Sequence, residues 1–206
     1  MTKFFFDMDG TIVNSQGRLY ELFCELCPEN IFSYEEYWEI KRKHVTQKEF
    51  LQKYFHYSEE KIDNFHKIWL DKVEEEKRVL TYDFPVNGMS DILKKLAEKH
   101  RLFLLTNRQS YEIAVRQMKQ FGWLGFFDDL FITQQRDSKQ ELIRKSKIVI
   151  EKSDFFIGDT GEDIKTAKEF GAKSVAVTWG VLDSKVLEKY EPDLIVGNPK
   201  QLLTLI

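Results

Sequence analysis

The sequence predicts an α/β protein: a three-layer Rossmann-like core with a parallel sheet, and an all-helical segment inserted after the first strand. Three observations carry that expectation. Residues 4–6, 102–105 and 155–157 are short, unbroken apolar runs, the pattern of strands buried on both faces of a sheet. Each run ends in residues suited to chemistry, and in open α/β sheets ligands gather at the carboxyl ends of the strands. Between the first two runs, from Ser15 to about Phe84, the apolar spacing becomes helical.

The first run, Phe4-Phe5-Phe6, passes into Asp7-Met8-Asp9-Gly10-Thr11. Alternation along an extended chain sends the side chains of Asp7 and Asp9 the same way, so both carboxylates can converge on one small ligand. Two anions so close need a cation, and oxygen-rich carboxylate sites select hard ions, Mg²⁺ first where phosphate is the substrate. The third run, Phe155-Phe156-Ile157, leads into Gly158-Asp159-Thr160-Gly161-Glu162-Asp163 and then a helical stretch to Phe170. The second ends in Thr106-Asn107, a hydroxyl and an amide. All three ends are expected on one edge of the sheet.

The inserted segment carries helix-start signals. Ser33 with Glu36 and Thr46 with Glu49 have capping-box spacing, and Ser58 can cap a long helix through Arg78 with Ile62, Phe65, Trp69 and Val73 as its apolar stripe. The segment holds 14 of the chain's 29 aromatic residues, which a small helical bundle needs to build a core of its own. The expected division is a core of residues 1–14 and 85–206 with a helical unit of residues 15–84.

With 206 residues, 42% hydrophobic content and a net charge of −3, the chain can bury one good core plus a smaller attached unit. The charge offers no nucleic-acid-binding surface, and the apolar run at the N-terminus is too short to cross a membrane. A cytoplasmic location is expected, with neither nucleic acid nor membrane as a partner; the oligomeric state is not legible. Cys24 and Cys27 have C-x-x-C spacing but lack the further ligands zinc needs, so they are expected to pack as small apolar residues. His44, His56 and His66 are too scattered to form a site.

The residues Asp7 to Thr11, Thr106-Asn107 and Gly158 to Asp163, in this order, resemble the haloacid dehalogenase-like (HAD) hydrolase superfamily, specifically its phosphoglycolate phosphatase-like phosphatases. The resemblance spans residues 1–14 and 85–206 and implies a magnesium-dependent phosphatase acting on a small phosphorylated metabolite through an aspartyl-phosphate. It implies Asp7 as nucleophile and Asp9 as general acid/base with a pKa raised toward neutrality. Thr106 and the Asn107 backbone would hold phosphate, and Asp7, Asp9 through its carbonyl, Asp159 and Asp163 would serve the metal. The helical segment resembles the cap that closes over such sites.

The superfamily's phosphate-site lysine, commonly followed by proline, has no such match here. Lys139, which follows the strand-like residues 130–132 and begins a helix, is the best substitute, with Lys145 and Lys147 as alternatives. Arg108 is expected either to touch an anion or to sit exposed in a loop. A phosphosugar mutase would use the same aspartate pair, although such mutases usually carry a histidine where this chain reads Arg18-Leu19-Tyr20. A non-catalytic binding protein would normally have lost one of the carboxylates. Substrate selection is expected from the helical segment, near Arg18 and Tyr20.

Overall fold

In the computed structural model, which describes residues 1–205, the apolar runs become the centre of one parallel sheet. Strand β1 (Lys3–Phe6) leads through the Asp7–Gly10 turn to a short β2 (Val13–Asn14). The chain then leaves the sheet for α1 (Gln16–Leu26), α2 (Tyr34–Lys41), α3 (Gln47–Phe55), α4 (Glu59–Lys72) and α5 (Glu76–Tyr82). It returns through β3 (Phe84–Pro85), which pairs antiparallel with β2, so one small ribbon pins both ends of the helical segment. The remainder alternates regularly. It runs α6 (Met89–Ala97), β4 (Arg101–Thr106), α7 (Tyr111–Gln120), β5 (Asp129–Ile132), α8 (Lys139–Ser146), β6 (Phe155–Gly158), α9 (Gly161–Glu169), β7 (Lys173–Val177), α10 (Ser184–Glu188) and β8 (Leu194–Val196).

Strand order is β5-β4-β1-β6-β7-β8, every pair parallel. Alternation divides β1 between two layers. Phe4 and Phe6 pack with Ile92, Leu93 and Leu96 of α6 and Met118 of α7, whereas Phe5 joins Phe103, Phe156, Ile143 of α8 and Ala167 of α9. The Phe5 ring stacks on Phe103 at 4.8 Å and on Phe156 at 4.5 Å between centroids. With β1 central, the residues that follow it lie between the ends of β4 and β6, which brings Asp7, Thr106 and Asp159 to one edge.

The helical segment builds its own core. Phe23, Tyr37, Trp38, Phe50, Tyr57 and Phe65 are buried together, with Phe32, Tyr54, Phe55 and Trp69 packed around them. Both capping boxes form, at Ser33/Glu36 and Thr46/Glu49. Cys27 is buried in this core and Cys24 half-buried, both as free thiols. The helix expected from Ser58 through Arg78 is broken: α4 stops at Lys72 and α5 starts at Glu76. At the break Val73 and Glu74 find partners outside their own helices, described below. Among the described residues no helix is long and apolar enough to cross a membrane.

Phe5 is 1% exposed with rings on both sides, so Phe5→Ala should cost about 3–5 kcal/mol of stability in urea unfolding. A loss below about 1 kcal/mol would mean that this stack does not anchor the sheet.

Candidate active site

The turn after β1 requires Gly10. Its φ is +79°, and a Cβ there would lie 2.1 Å from Asp159 Oδ2. Gly180, in the loop after β7, approaches the same carboxylate from another side, where a Cβ would lie 2.2 Å from Oδ2. Held between these two backbones, Asp159 Oδ2 accepts the Val181 N–H at 2.7 Å and Oδ1 accepts the Thr11 hydroxyl at 3.3 Å. Asp163 lies in the first turn of α9, where its Oδ2 accepts from the Thr160 N–H at 3.1 Å and the Thr160 hydroxyl at 2.7 Å. Gly158 leaves room for it, since a Cβ there would overlap the carboxyl.

Lys139 is the first residue of α8, fixed by the Ser138/Glu141 capping box. Its side chain is buried, and Nζ donates to Asp7 Oδ1 at 2.7 Å and Asp163 Oδ1 at 2.6 Å. Lys145 instead pairs with Asp137 at the surface, and Lys147 is an exposed helix cap in the left-handed region. Asp7, Asp9, Thr106, Asn107, Arg108 and Lys139 all line one cavity of about 230 Å³. Thr106 is buried at the end of β4, and the exposed Asn107 donates through Nδ2 to Glu162 Oε2 at 2.7 Å.

The two carboxylates after β1 share the cavity but have different partners. Asp9 faces two guanidinium groups, accepting from Arg18 Nη2 at 2.5 Å, from Arg108 Nη2 at 2.8 Å and from Arg108 Nε. Asp83, just after α5, ties the two arginines together: Oδ1 accepts from Arg18 Nε at 2.8 Å and Oδ2 from Arg108 Nη2 at 3.0 Å. Arg18 Nη1 also donates to the Val73 carbonyl at 2.6 Å, which the break after α4 leaves free of a helical partner. Glu74, in the same break, accepts the backbone N–H groups of Gln109 and Ser110 at 2.9 to 3.1 Å and lines the cavity.

These contacts correct the expectations for Arg18, Tyr20 and Asp9 and decide between the two given for Arg108. Arg18 is not a free group facing a leaving group, because it is 2% exposed and fully engaged with Asp9, Asp83 and Val73. Tyr20 likewise turns inward, its hydroxyl donating to the Phe32 carbonyl at 2.7 Å. The Asp9 pKa is lowered rather than raised: burial pushes it up, but Arg108 and Arg18 outweigh burial and hold it at about 2. Arg108 is no exposed loop arginine. It is buried against Asp9, Asp83 and Gln117, and its Nη1 has no hydrogen-bond partner in the protein.

Arg18, Asp83 and Glu74 were not identifiable as supports of the site. They lie in helical or turn sequence with no motif, and the only available signal was Arg18 among apolar neighbours of α1.

Asp7, Asp159 and Asp163 each offer a carboxylate oxygen within 4.8 Å of the others. Burial, reinforced by the neighbouring carboxylates, raises the Asp7 pKa despite Lys139, and raises that of Asp159 to about 7. Lys139 is itself raised: burial opposes its charge, but Asp163 and Asp7 prevail. One ammonium among three buried carboxylates leaves excess negative charge, and an all-oxygen donor set of this kind fits a hard divalent cation. The Asp9 side chain is outside this set.

Comparison with known proteins gives the family and the fold. The family model for haloacid dehalogenase-like hydrolases matches residues 4–177, and the chain belongs to that family. It is similar to the pyrophosphatase PpaX of Bacillus mycoides, with 24% identity across 98% of this chain and 94% of that protein. The structure of a haloacid dehalogenase-like family hydrolase from Streptococcus pneumoniae superposes with a TM-score of 0.75 at 22% identity, covering 99% of this chain and 97% of that one. YfnB from Bacillus subtilis, described as bound to magnesium, superposes at 0.68 with 14% identity over 99% and 97% of the two chains.

Removing Asp83 would leave two buried guanidinium groups without their shared carboxylate. Asp83→Ala should therefore cost about 3–5 kcal/mol in chemical denaturation. A change within about 0.5 kcal/mol, the range of an ordinary surface substitution, would show that the two arginines do not depend on it.

Proposed function

We propose that this haloacid dehalogenase-like hydrolase is a magnesium-dependent phosphatase that hydrolyses a small phosphomonoester through an aspartyl-phosphate formed on Asp7. The observation that carries this reading is the Asp7 carboxylate itself. It lines a cavity at the sheet edge, 2.7 Å from a buried lysine and within reach of two further buried carboxylates.

In the first half-reaction an Asp7 oxygen attacks phosphorus, the P–O bond to the substrate breaks, and the phosphoryl group is carried by the protein. Lys139 offsets charge on the attacking carboxylate and on the phosphoryl oxygens, and the Thr106 hydroxyl with the Asn107 backbone N–H holds the remaining oxygens. In the second half-reaction water attacks phosphorus and Asp7 is regenerated. Held by Asp7, Asp159, Asp163 and the Asp9 carbonyl, magnesium would offset the repulsion between anionic nucleophile and anionic phosphate.

Asp9 is the general acid and base in this scheme. With its pKa at about 2, it can hold a proton for the leaving oxygen only if its guanidinium partners loosen. Arg108 is the partner that an anionic substrate would draw away, because it lines the same cavity as Asp7 and its buried Nη1 has no hydrogen-bond partner in the protein. Residues 15–84 act as a cap over a core of residues 1–14 and 85–206, and the enzyme works in the cytoplasm. Mutase chemistry is disfavoured because the stretch where a histidine would be expected reads Arg18-Leu19-Tyr20, and Arg18 is already committed to three partners. Pyrophosphate as substrate is a second reading, favoured by the activity for which the PpaX relative is named.

In assays with 4-nitrophenyl phosphate, Asp7→Asn should abolish turnover while the circular dichroism spectrum is unchanged. Lys139→Ala should lower kcat by roughly a hundredfold or more, and Lys145→Ala should leave it near wild type. Substantial turnover by Asp7→Asn would refute the nucleophile assignment, and loss in Lys145→Ala alone would move the lysine role.

A further inference from the structure

A second cavity, of about 250 Å³, lies between the helical segment and the loop after β7. Its apolar walls include Leu19 of α1, Tyr37 and Trp38 of α2, Trp69 of α4 and Val181. Val181 lines both this cavity and the catalytic one, and its backbone N–H is bonded to Asp159. The loop is tied to the helical segment on this side: Asp183 donates its N–H to the Arg42 carbonyl at 3.0 Å, and Gln16 Nε2 donates to the Gly180 carbonyl at 3.0 Å. The cavity is therefore a built space beside the reacting carboxylates.

Its polar lining includes Lys41, the exposed His44 and two side chains, Trp38 and Gln47, whose N–H groups are buried without a partner. Trp38 is 6% exposed, yet its indole N–H has no partner. Gln47 also lines the cavity; its Oε1 accepts the Tyr37 hydroxyl at 3.2 Å, which fixes the amide and leaves the buried Nε2 unpartnered. Lys41 also lines the cavity and makes no ion pair among the described residues. Burial draws its pKa down to about 8, against an upward pull from Glu49 whose carboxylate is already bonded to Thr46. Buried donors without acceptors are costly, and an acceptor-bearing ligand would satisfy them.

We infer that this cavity is the leaving-group subsite and that it takes a single planar, largely apolar ring carrying anionic acceptor oxygens, such as a carboxylate. The inference rests on the phosphatase reading and narrows it to aryl-type phosphomonoesters. The volume falls below the roughly 300–1,000 Å³ of pockets for drug-sized ligands, which suits one ring. A polyol would set O–H donors against apolar walls, and pyrophosphate would leave the cavity unfilled.

The test is calorimetric titration of 4-hydroxybenzoate, the alcohol released from 4-carboxyphenyl phosphate, into the full chain. Trp38→Phe keeps the ring and removes the N–H; Lys41→Met keeps most of the stem and removes the charge. Each should weaken binding about five- to tenfold, the size of one lost hydrogen bond, while Lys43→Met at the exposed surface should not. The first two variants should also lose kcat/KM for 4-carboxyphenyl phosphate and keep it for ethyl phosphate. Absence of 4-hydroxybenzoate binding to the wild type, or equal binding by all four proteins, would overturn the subsite. Binding that weakens as expected, in a wild type that hydrolyses no phosphate ester, would uphold the binding site and overturn the phosphatase reading.

Discussion

Lys139 is the contact on which the carboxylate-lined edge of the sheet depends, because it is the ammonium that lets Asp7 and Asp163 stay close together in a buried place. Unpaired buried charges are strongly unfavourable, and bringing carboxylates together adds repulsion to desolvation. The fold answers with backbone as well as with charge. Gly10 and Gly180 let Asp159 sit against main chain, Gly158 leaves room for Asp163, and Thr160, just before α9, donates to Asp163. What remains uncompensated, with Asp159 raised to about 7, is the reason a divalent cation belongs in the proposed chemistry.

A second charge cluster joins the helical segment to the sheet. Asp9 and Asp83 share Arg18 and Arg108, so a residue of the turn after β1, the first inserted helix, the end of the last one and the loop after β4 are bound in one network. Glu74 adds a contact of similar direction by accepting two N–H groups ahead of α7. The interruption between α4 and α5 is thus where the inserted chain trades helical hydrogen bonds for contacts to the core. The same network depresses the Asp9 pKa, so protonation of that residue is coupled to whatever draws Arg108 or Arg18 away.

Much of this was legible from the sequence, for identifiable reasons. Buried parallel strands announce themselves as unbroken apolar runs, so the sheet, the position of β1 and the meeting of Asp7, Thr106 and Asp159 at one edge followed from pattern. Capping boxes are local, and Ser33/Glu36 and Thr46/Glu49 formed as their spacing indicates. Lys139 stood out by its place at a helix start after β5. Arg18, Asp83 and Glu74 carried no such mark, because their partners lie far away in sequence or on another element. The Asp9 pKa had the opposite direction from that expected for the same reason: two arginines from different parts of the chain decide it. Periodicity could not reveal the break after Lys72 either, since Val73 continues the apolar stripe and only the tertiary demand for its carbonyl turns the chain.

The central claim is that Asp7 carries the phosphoryl group during turnover. Its most direct test is acid quenching of the protein during steady-state hydrolysis of a phosphate ester with magnesium present, followed by peptide mapping by mass spectrometry. The account predicts one phosphoryl group on the peptide containing Asp7, removed by hydroxylamine as an acyl phosphate should be, and absent when magnesium is chelated. A phosphoryl group on a different residue, or hydrolysis under conditions that trap the acyl phosphate of a known aspartyl-phosphate enzyme but none here, would contradict it.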